Sequence, residues 1–266
     1  MRGRCRAVGN RGPGGGVRAG LHYFRAECTK NGRVLDEVAG GMSEILTSAQ
    51  MRAIERAAID SGAVTGAELM ERAGAATVAA LFAARPELAK GGHRAAVLAG
   101  PGNNGGDGYV IARLLTARGW TVEVLAWGEA GRMSPDAGAM RSRWDMLGPT
   151  EPLGVLGDFG FAQPWPEVVV DAVFGTGMTR QMPDKVGQVL TGIDHWIWRV
   201  RPRCTVLAVD LPSGLCPDTG QTLGRALPAD LTGTFHARKR RHPPGPGPKL
   251  CGKPVVPHIG PGPWNP

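Results

Sequence analysis

The stretch of sequence that decides the fold is AAVLAGPGNNGGDGYVIA, residues 95–112. An apolar run ends at Gly100, a polar and glycine-rich turn follows, and apolar residues then recur at helical spacing from Val110 to Leu115. This order predicts a strand, a phosphate-type loop and the start of a helix. Such a loop presents backbone N–H groups to an anion at the positive end of the helix dipole.

The alternation of apolar strands and helices continues on the C-terminal side. Strands are predicted at 94–99, 121–127, 167–174 and 205–211, and helices at 107–118, 134–147 and 184–198. Parallel strands that are joined by helices predict an α/β chain with an open, doubly wound sheet. Because ligands bind such sheets at the carboxyl ends of the strands, the loops after the strands are candidate sites.

Two helices are predicted on the N-terminal side of the first strand. Thr47 can cap a helix that begins at Ser48, and Gln50 is placed to close a capping box. A second helix is predicted from Thr65 to about residue 84, and Gly74 with its neighbouring alanines indicates close packing against another helix.

The positive charge of the chain lies at its two ends. The net charge is +8, but residues 1–41 contribute +5 and residues 236–266 contribute +6, which leaves −3 for residues 42–235. A mildly acidic body is not a basic groove, so we expect no binding to nucleic acid. The basic run Arg238–Arg241 is interpreted as a solvated tail.

Membrane, zinc and disulfide signals are all weak. No apolar run approaches the ~18 residues that a membrane helix needs, so we expect no membrane span. The 5 cysteines are scattered without CxxC spacing, which favours reduced thiols in a cytosol-like compartment.

The first 41 residues do not have the pattern of a fold, since they are rich in arginine and include a glycine-rich stretch. Two interpretations stay open: an unstructured organelle leader, or a non-native upstream extension with Met42 as the true start. Residues 42–260 are predicted to form the working domain, and 261–266 a tail.

The first strand end is more polar than a tight turn requires. Asn103, Asn104 and Asp107 follow it among four glycines. The spacing is neither a dinucleotide fingerprint nor a P-loop. Side-chain amides and carbonyls suit hydroxyl, carboxamide or cation ligands, while a simple turn in which Asp107 caps the next helix is the alternative.

Two carboxylates mark the next strand ends. Asp171 interrupts a run that should be buried, so it needs either a salt-bridge partner or a cation. The following loop can approach a ligand closely at Gly175, and Arg180 suits a phosphate. Asp210 ends the later strand and precedes Ser213, which lacks the Gly-x-Ser-x-Gly context of a hydrolase nucleophile.

Together these stretches resemble one family, the NAD(P)H-hydrate epimerases, also known as the YjeF N-terminal domain. Its ordered motifs occur here as LMERAG, GPGNNGGDG, DAVFGTG and DLPSG, at 69–74, 100–108, 171–177 and 210–214. The resemblance implies a three-layer Rossmann-like fold with a mostly parallel, doubly wound sheet. It also implies a homodimer that interconverts the R and S forms of NADHX and NADPHX, the hydrates of NADH and NADPH, with one bound K+ per subunit.

The resemblance implies roles for single residues as well. The implied substrate-binding residues are Asn103, Asn104, Gly105, Gly106, Asp107, Gly175, Thr176, Gly177, Met178, Thr179, Arg180, Gln181 and Asp210. The implied potassium ligands are Asn104, Asp171 and Ser213. Asp210 is the implied catalytic acid–base. The resemblance assigns binding of the substrate's phosphate region to Gly175–Gln181 and not to the first loop.

The C-terminal end is less like the family, because Pro254 and Pro257 interrupt its last strand, which must then be an edge element or not well formed. Many relatives continue into a dehydratase domain; none follows here, so dehydration is not expected.

Two other functions and two locations stay open. One alternative is a catalytically impaired nucleotide-binding module of the same fold. The other is a dehydrogenase, which is disfavoured because no acid ends the second strand at 122–127. The expected location is cytoplasmic, or mitochondrial if residues 1–41 are a transit peptide.

Overall fold

A computed structural model describes residues 35–38, 41–44, 48–157, 160–200, 204–235 and 247–255. The strands are β1 Leu35–Val38, β2 Gly41–Glu44, β3 Arg94–Ala99, β4 Thr121–Ala126, β5 Thr150–Pro152, β6 Val168–Ala172, β7 Thr205–Val209, β8 Leu231–Gly233 and β9 Lys253–Val255. The helices are α1 Ser48–Asp60, α2 Gly66–Ala84, α3 Asn103–Thr116, α4 Pro135–Asp145, α5 Asp184–Val200 and α6 Gly247–Leu250. No helix in these ranges is long and apolar enough to cross a membrane.

Seven of the strands form one parallel sheet in the order β5-β4-β3-β6-β7-β8-β9. The chain builds outward from β3 through β4 to β5, and it then returns to the other side of β3 to add β6. The loops after β3 and β6 therefore leave the same edge of the sheet side by side, which is the topological switch point where such folds bind ligands. The predicted doubly wound α/β fold is confirmed, and its sheet is parallel throughout the described strands.

Helices cover both faces of this sheet. Along β3, Ala95 and Val97 belong to a hydrophobic cluster with α2, α3 and α4, whereas Ala96 and Leu98 belong to a cluster with α5. Successive strand residues point to opposite faces, so a strand that is apolar at every position is buried on both sides. The three layers of the fold follow from that pattern.

The predicted contact of α2 with another helix is confirmed. A Cβ atom at Gly74 would lie 2.4 Å from Cγ1 of Val110, so only glycine allows α2 to approach α3 this closely. The start of α2 is stabilised by a capping box, in which Oγ1 of Thr65 accepts the N–H of Glu68 and the Glu68 carboxylate accepts the N–H of Thr65.

Helix α3 begins four residues earlier than the sequence predicts. Its N-cap is Gly102, so the polar residues from Asn103 to Gly106 form its first turn instead of a loop. These residues have low helix propensity. Packing of the glycines against β3 and α2 outweighs that preference.

The ends of the chain are only partly described. Strand β9 lies at the edge of the sheet, which confirms one of the two predicted outcomes for Pro254, because proline is tolerated on an edge strand. Strands β1 and β2 pair with each other in a separate hairpin, and β1 falls within the 1–41 segment. The rest of that segment, the Thr47 cap and the 261–266 tail lie outside the described residues, so those predictions stay predictions.

Candidate active site

A cleft of about 580 Å³ opens at the switch point. Its walls come from the start of α3, the loop after β6, the end of β7 and one face of α1. The lining residues are Met51, Arg52, Glu55, Pro101, Gly102, Asn103, Asn104, Asp107, Val173, Phe174, Gly175, Thr176, Gly177, Met178, Thr179, Arg180, Gln181, Pro183, Asp210 and Phe235. All three predicted strand ends therefore contribute to one site.

The side chain of Asn103 is oriented by a residue that the sequence analysis missed. Ser134 is the N-cap of α4, where its Oγ accepts the N–H of Ala137 at 3.3 Å. The same hydroxyl donates to Oδ1 of Asn103 at 2.6 Å. Because the amide oxygen is engaged, the NH2 end of Asn103 is the group best placed to meet a ligand. The Ser134-Pro135 cap was readable from sequence, but its contact with Asn103 was not.

Among the described residues, Asn104 is the clearest candidate for a ligand contact. Its Oδ1 and Nδ2 are both buried, and neither has a hydrogen-bond partner among the described residues. A Cβ atom at Gly175 would lie 2.9 Å from Oδ1 of Asn104 and 2.7 Å from Oδ2 of Asp210. Because Gly175 has no side chain, both of these side chains can approach its backbone closely. An unpaired buried amide is costly, so this position indicates a bound group.

Gly105 and Gly106 have a packing role and do not line the cleft. A Cβ atom at Gly105 would lie 1.9 Å from the carbonyl oxygen of Gly100, and one at Gly106 would lie 2.3 Å from Sδ of Met70. Both glycines are buried. They allow the first turn of α3 to rest on the end of β3 and on α2, which places the neighbouring asparagines in the cleft.

Asp210 is held in a left-handed backbone conformation with a φ of 69°, which no other described non-glycine residue shares. Its N–H donates to the carbonyl of Gly233 at 2.7 Å, and its Oδ2 accepts the N–H of Thr176 at 2.8 Å. Such strain persists only where the surroundings impose it, and it occurs often at active sites. These contacts hold the Asp210 carboxylate at the cleft.

Asp171 lies behind the cleft and is completely buried. Its Oδ2 accepts the N–H of Ser213 at 2.8 Å, and its Oδ1 accepts the Ser213 hydroxyl at 2.5 Å and the N–H of Val173 at 3.4 Å. Burial raises the pKa of Asp171 to about 6, against these hydrogen bonds, which lower it. Its partners are all neutral, and none of the described residues forms the salt bridge with it that the sequence left open.

The residues around Asp171 fit a hard cation. Ser213 Oγ, which meets Asp171, also accepts the N–H of Phe174 at 2.8 Å and lies 3.3 Å from the Phe174 carbonyl oxygen. The next residue, Gly175, lies against the partnerless Oδ1 of Asn104. Amide, hydroxyl and carbonyl oxygens around a single carboxylate are the donors that hard cations prefer.

The whole predicted phosphate loop, Gly175–Gln181, lines the cleft. Met178 is buried in the cluster under α5 and anchors the loop, while Arg180 is exposed. The N–H of Thr176 is already donated to Asp210. Anion binding by this loop therefore depends on its remaining N–H groups and on cationic side chains.

One wall of the cleft was not predicted at all. Helix α1 contributes Met51, Arg52 and Glu55, and Phe235 closes the end beyond β8. The sequence analysis predicted this helix but assigned it no part in a site. Arg52 and Glu55 are three residues apart and therefore lie on one face of the helix, which was the available signal.

Comparison with known proteins identifies a single family. The family model described as "YjeF-related protein N-terminus" matches residues 66–241. The chain is similar to a Roseobacter litoralis protein named NAD(P)H-hydrate epimerase, with 43% identity over 233 residues that cover 82% of this chain and 100% of that one. A Rhodobacter capsulatus protein of the same name is 46% identical over 206 residues, which cover 76% of this chain and 92% of that one.

A solved structure agrees with the fold. The crystal structure of the yeast protein YNL200c matches with a TM-score of 0.60 and covers 74% of this chain and 82% of the yeast chain. Because the sequence identity is 23%, this likeness supports the architecture alone.

Proposed function

The chain belongs to the YjeF N-terminal family, and on that premise we propose that it is an isomerase that interconverts the R and S forms of NADH hydrate and NADPH hydrate. The reaction repairs a damaged cofactor and involves no net oxidation or reduction. The observation that carries the proposal for this site is the Asp210 carboxylate, held at the cleft by a strained backbone and by the N–H of Thr176.

The chemistry needs one group that can give and take a proton. The hydrate is a carbinolamine, with a hydroxyl on the carbon beside the ring nitrogen. When the C–O bond breaks, the nitrogen electron pair forms a C=N bond and the leaving oxygen takes a proton to depart as water. Water then adds to the other face and returns the proton; opening the ring C–N bond is the alternative. Asp210 is the group we assign to this proton transfer.

Other cleft residues have binding roles in the proposal. The NH2 end of Asn103, set by Ser134, and the nearby Asp107 suit the polar groups of the hydrate. Gly175–Gln181, with the exposed Arg180, suits the phosphate region. Support for these roles is the presence of all these side chains and of the loop around one cleft.

We also propose that each subunit holds one K+ through Asn104, Asp171 and Ser213. When bound, the ion supplies positive charge that offsets the burial of an ionised Asp171. Support comes from the orphaned amide of Asn104 and from the neutral oxygens around the buried carboxylate. The homodimer remains a proposal that rests on the family resemblance. The cytoplasmic location is a proposal that rests on the scattered cysteines, with a mitochondrial location as the alternative if residues 1–41 are a transit peptide.

The proposed activity is tested by incubating the purified chain with R-enriched NADPH hydrate and following the epimer ratio by chromatography. We expect epimerisation faster than the spontaneous rate. Loss of a general acid–base group lowers the rate by about 10²–10⁴-fold, so Asp210→Asn should epimerise the hydrate more slowly by that factor. Asp60→Asn, the same change at an exposed position outside the cleft, should leave the rate unchanged.

Two outcomes would contradict parts of this proposal. Unchanged epimerisation by Asp210→Asn would remove the catalytic assignment. Binding of the hydrate by the wild-type chain without any acceleration would favour the alternative, a catalytically impaired nucleotide-binding module of the same fold.

A further inference from the structure

The side chain of Arg52, which lies outside the four sequence motifs, reaches the loop Gly175–Gln181. This is the loop to which we assign the substrate phosphates. Arg52 lies on α1, and its Nη1 donates to the carbonyl oxygen of Thr176 at 3.1 Å. The N–H of Thr176 in turn donates to Oδ2 of Asp210 at 2.8 Å. The loop is therefore contacted both by α1 and by Asp210, the residue that follows β7.

The charges along the cleft show what a dinucleotide would meet there. Among the described residues, its lining includes the carboxylates of Glu55, Asp107 and Asp210 but only the two guanidinium groups of Arg52 and Arg180. These five side chains sum to −1. A pyrophosphate diester brings two more negative charges, so its binding requires that cations lie close to it. Arg180 alone cannot offset both charges.

The geometry of Arg52 suits that task. A guanidinium group has five N–H donors in a rigid fork, and the bond to Thr176 uses Nη1 only. Arginine binds phosphate through pairs of parallel N–H groups, and this binding is stronger than a neutral hydrogen bond. The Arg52 side chain is exposed and already rests on the phosphate loop, so a phosphate on that loop lies within its reach.

We propose that Arg52 binds the pyrophosphate group of the dinucleotide substrate, opposite Arg180, and so makes α1 part of the substrate site. The inference rests on the proposed function for the identity of the substrate. It extends the site beyond the four motifs and beyond the segment 66–241 that the family model matches.

The competing explanation is a purely structural clamp, in which Arg52 only secures Thr176. A ligand without phosphate separates the two roles. Reduced nicotinamide riboside has the ring and one ribose of NADH but no phosphate. A clamp also sets the bond from the Thr176 N–H to Asp210, so its loss would affect both ligands, whereas loss of a phosphate contact would affect NADH alone and make its binding less sensitive to salt.

The test measures the dissociation constants of NADH and of reduced nicotinamide riboside for the full chain by titration calorimetry. Hydrogen bonds to charged groups predict that Arg52→Met weakens NADH binding by about 10- to 100-fold. Binding of the riboside should stay within about twofold, because its ring contacts are unchanged. Arg52→Lys should recover part of the NADH affinity, since it restores the charge without the fork.

Arg56→Met is the matched control. Arg56 lies one turn further along α1, is exposed and does not line the cleft, so its replacement should leave both constants unchanged. Added salt should weaken NADH binding by the wild-type chain more than by Arg52→Met. Equal melting temperatures of the variants show that they are folded.

Three results would overturn the inference: equal weakening of both ligands, unchanged NADH binding in Arg52→Met, or no NADH binding by the wild-type chain. Because binding is measured without turnover, this test can distinguish a failure of the proposed activity from a failure of the Arg52 assignment. If the wild-type chain does not epimerise the hydrate, but Arg52→Met weakens NADH binding selectively, the proposed activity is refuted and the phosphate contact is supported.

Discussion

Asp171 lies near the end of β6 and Asp210 directly follows the neighbouring strand β7, but their surroundings suit them to different tasks. Asp210 faces the cleft under backbone strain, whereas Asp171 is fully buried against Ser213 with its pKa raised to about 6. Without an ion, the stability that comes from a neutral Asp171 is present below pH 3.8 and is lost as the pH rises through about 6. The proposed cation beside Asp171 would offset that loss at neutral pH.

We predict that potassium stabilises the chain through Asn104. Potassium chloride should raise the melting temperature more than sodium chloride at equal concentration, because a ligand that binds only the folded state stabilises it. For a chain of this length, each kcal/mol added to the free energy of unfolding raises the melting temperature by about 2–4 °C. Asn104→Ala should abolish the potassium-specific shift, whereas Asn103→Ala, the exposed neighbour bound to Ser134, should keep it.

The measurement is scanning fluorimetry at neutral pH. An Asn104→Ala variant with the full potassium-specific shift would exclude Asn104 as a ligand, and equal shifts with both salts in the wild-type chain would exclude the ion itself.

At the scale of elements, the start of α3 determines where the cleft can form. Gly105 and Gly106 bring the first turn against β3 and α2 at distances that no side chain permits. That close approach turns Asn103, Asn104 and Asp107 toward the loop after β6. A helix begun four residues later, as the sequence analysis predicted, would have left these side chains on a loop with no fixed orientation.

We therefore predict that Gly105→Ala is destabilising while Gly138→Ala is not. The new methyl group at 105 would lie 1.9 Å from a backbone carbonyl, which cannot move aside as a flexible side chain can. Overpacking of this kind costs about 1–3 kcal/mol or more. Gly138 lies within α4 with nothing within 4 Å of an added Cβ, so alanine there should be neutral or stabilise by up to about 1 kcal/mol.

Urea denaturation measures both free energies of unfolding. If Gly105→Ala unfolded at the same urea concentration as the wild-type chain, α3 would not be docked as closely as the structure shows.

The whole molecule joins a seven-stranded sheet to a wall supplied by α1. Within the described strands, the β1–β2 hairpin pairs only with itself and adds nothing to that sheet. Helix α1, by contrast, brings Arg52 and Glu55 to the cleft. The part of the chain that forms the sheet and the cleft therefore begins at α1, and the β1–β2 hairpin is not part of it.

We predict that a chain that starts at Met42 keeps the melting temperature and the kcat/KM of the full chain, because it retains α1 and every strand of the main sheet. A chain that starts at Gly66, where the family match begins, should lose at least about tenfold in kcat/KM, as expected when a charged contact is removed. Both values come from the epimerisation assay and thermal melts. Full activity of the Gly66 chain would refute a role for α1, and an unfolded Met42 chain would show that residues 1–41 belong to the fold.

Neighbouring residues were enough to predict the four main strands, the span of α2 and the polar strand ends, because apolar periodicity and strand–loop–helix order are local patterns. The resemblance added roles for the motif residues, among them Gly105 and Gly106, which the structure places in packing behind the cleft. The predicted start of α3, residue 107, was wrong because tertiary packing overrides the weak helix propensity of glycine and asparagine.

Contacts between distant residues required the folded chain. Ser134 meets Asn103 across 31 positions, and Arg52 meets Thr176 across 124. No local pattern encodes such pairs, because they depend on how the layers pack and on which strands become neighbours. Sequence alone located three strand ends that carry polar chemistry. Only the tertiary structure joined them into one cleft, buried Asp171 beside Ser213 and added α1 as the fourth wall, since burial and proximity arise when the sheet and its helices assemble.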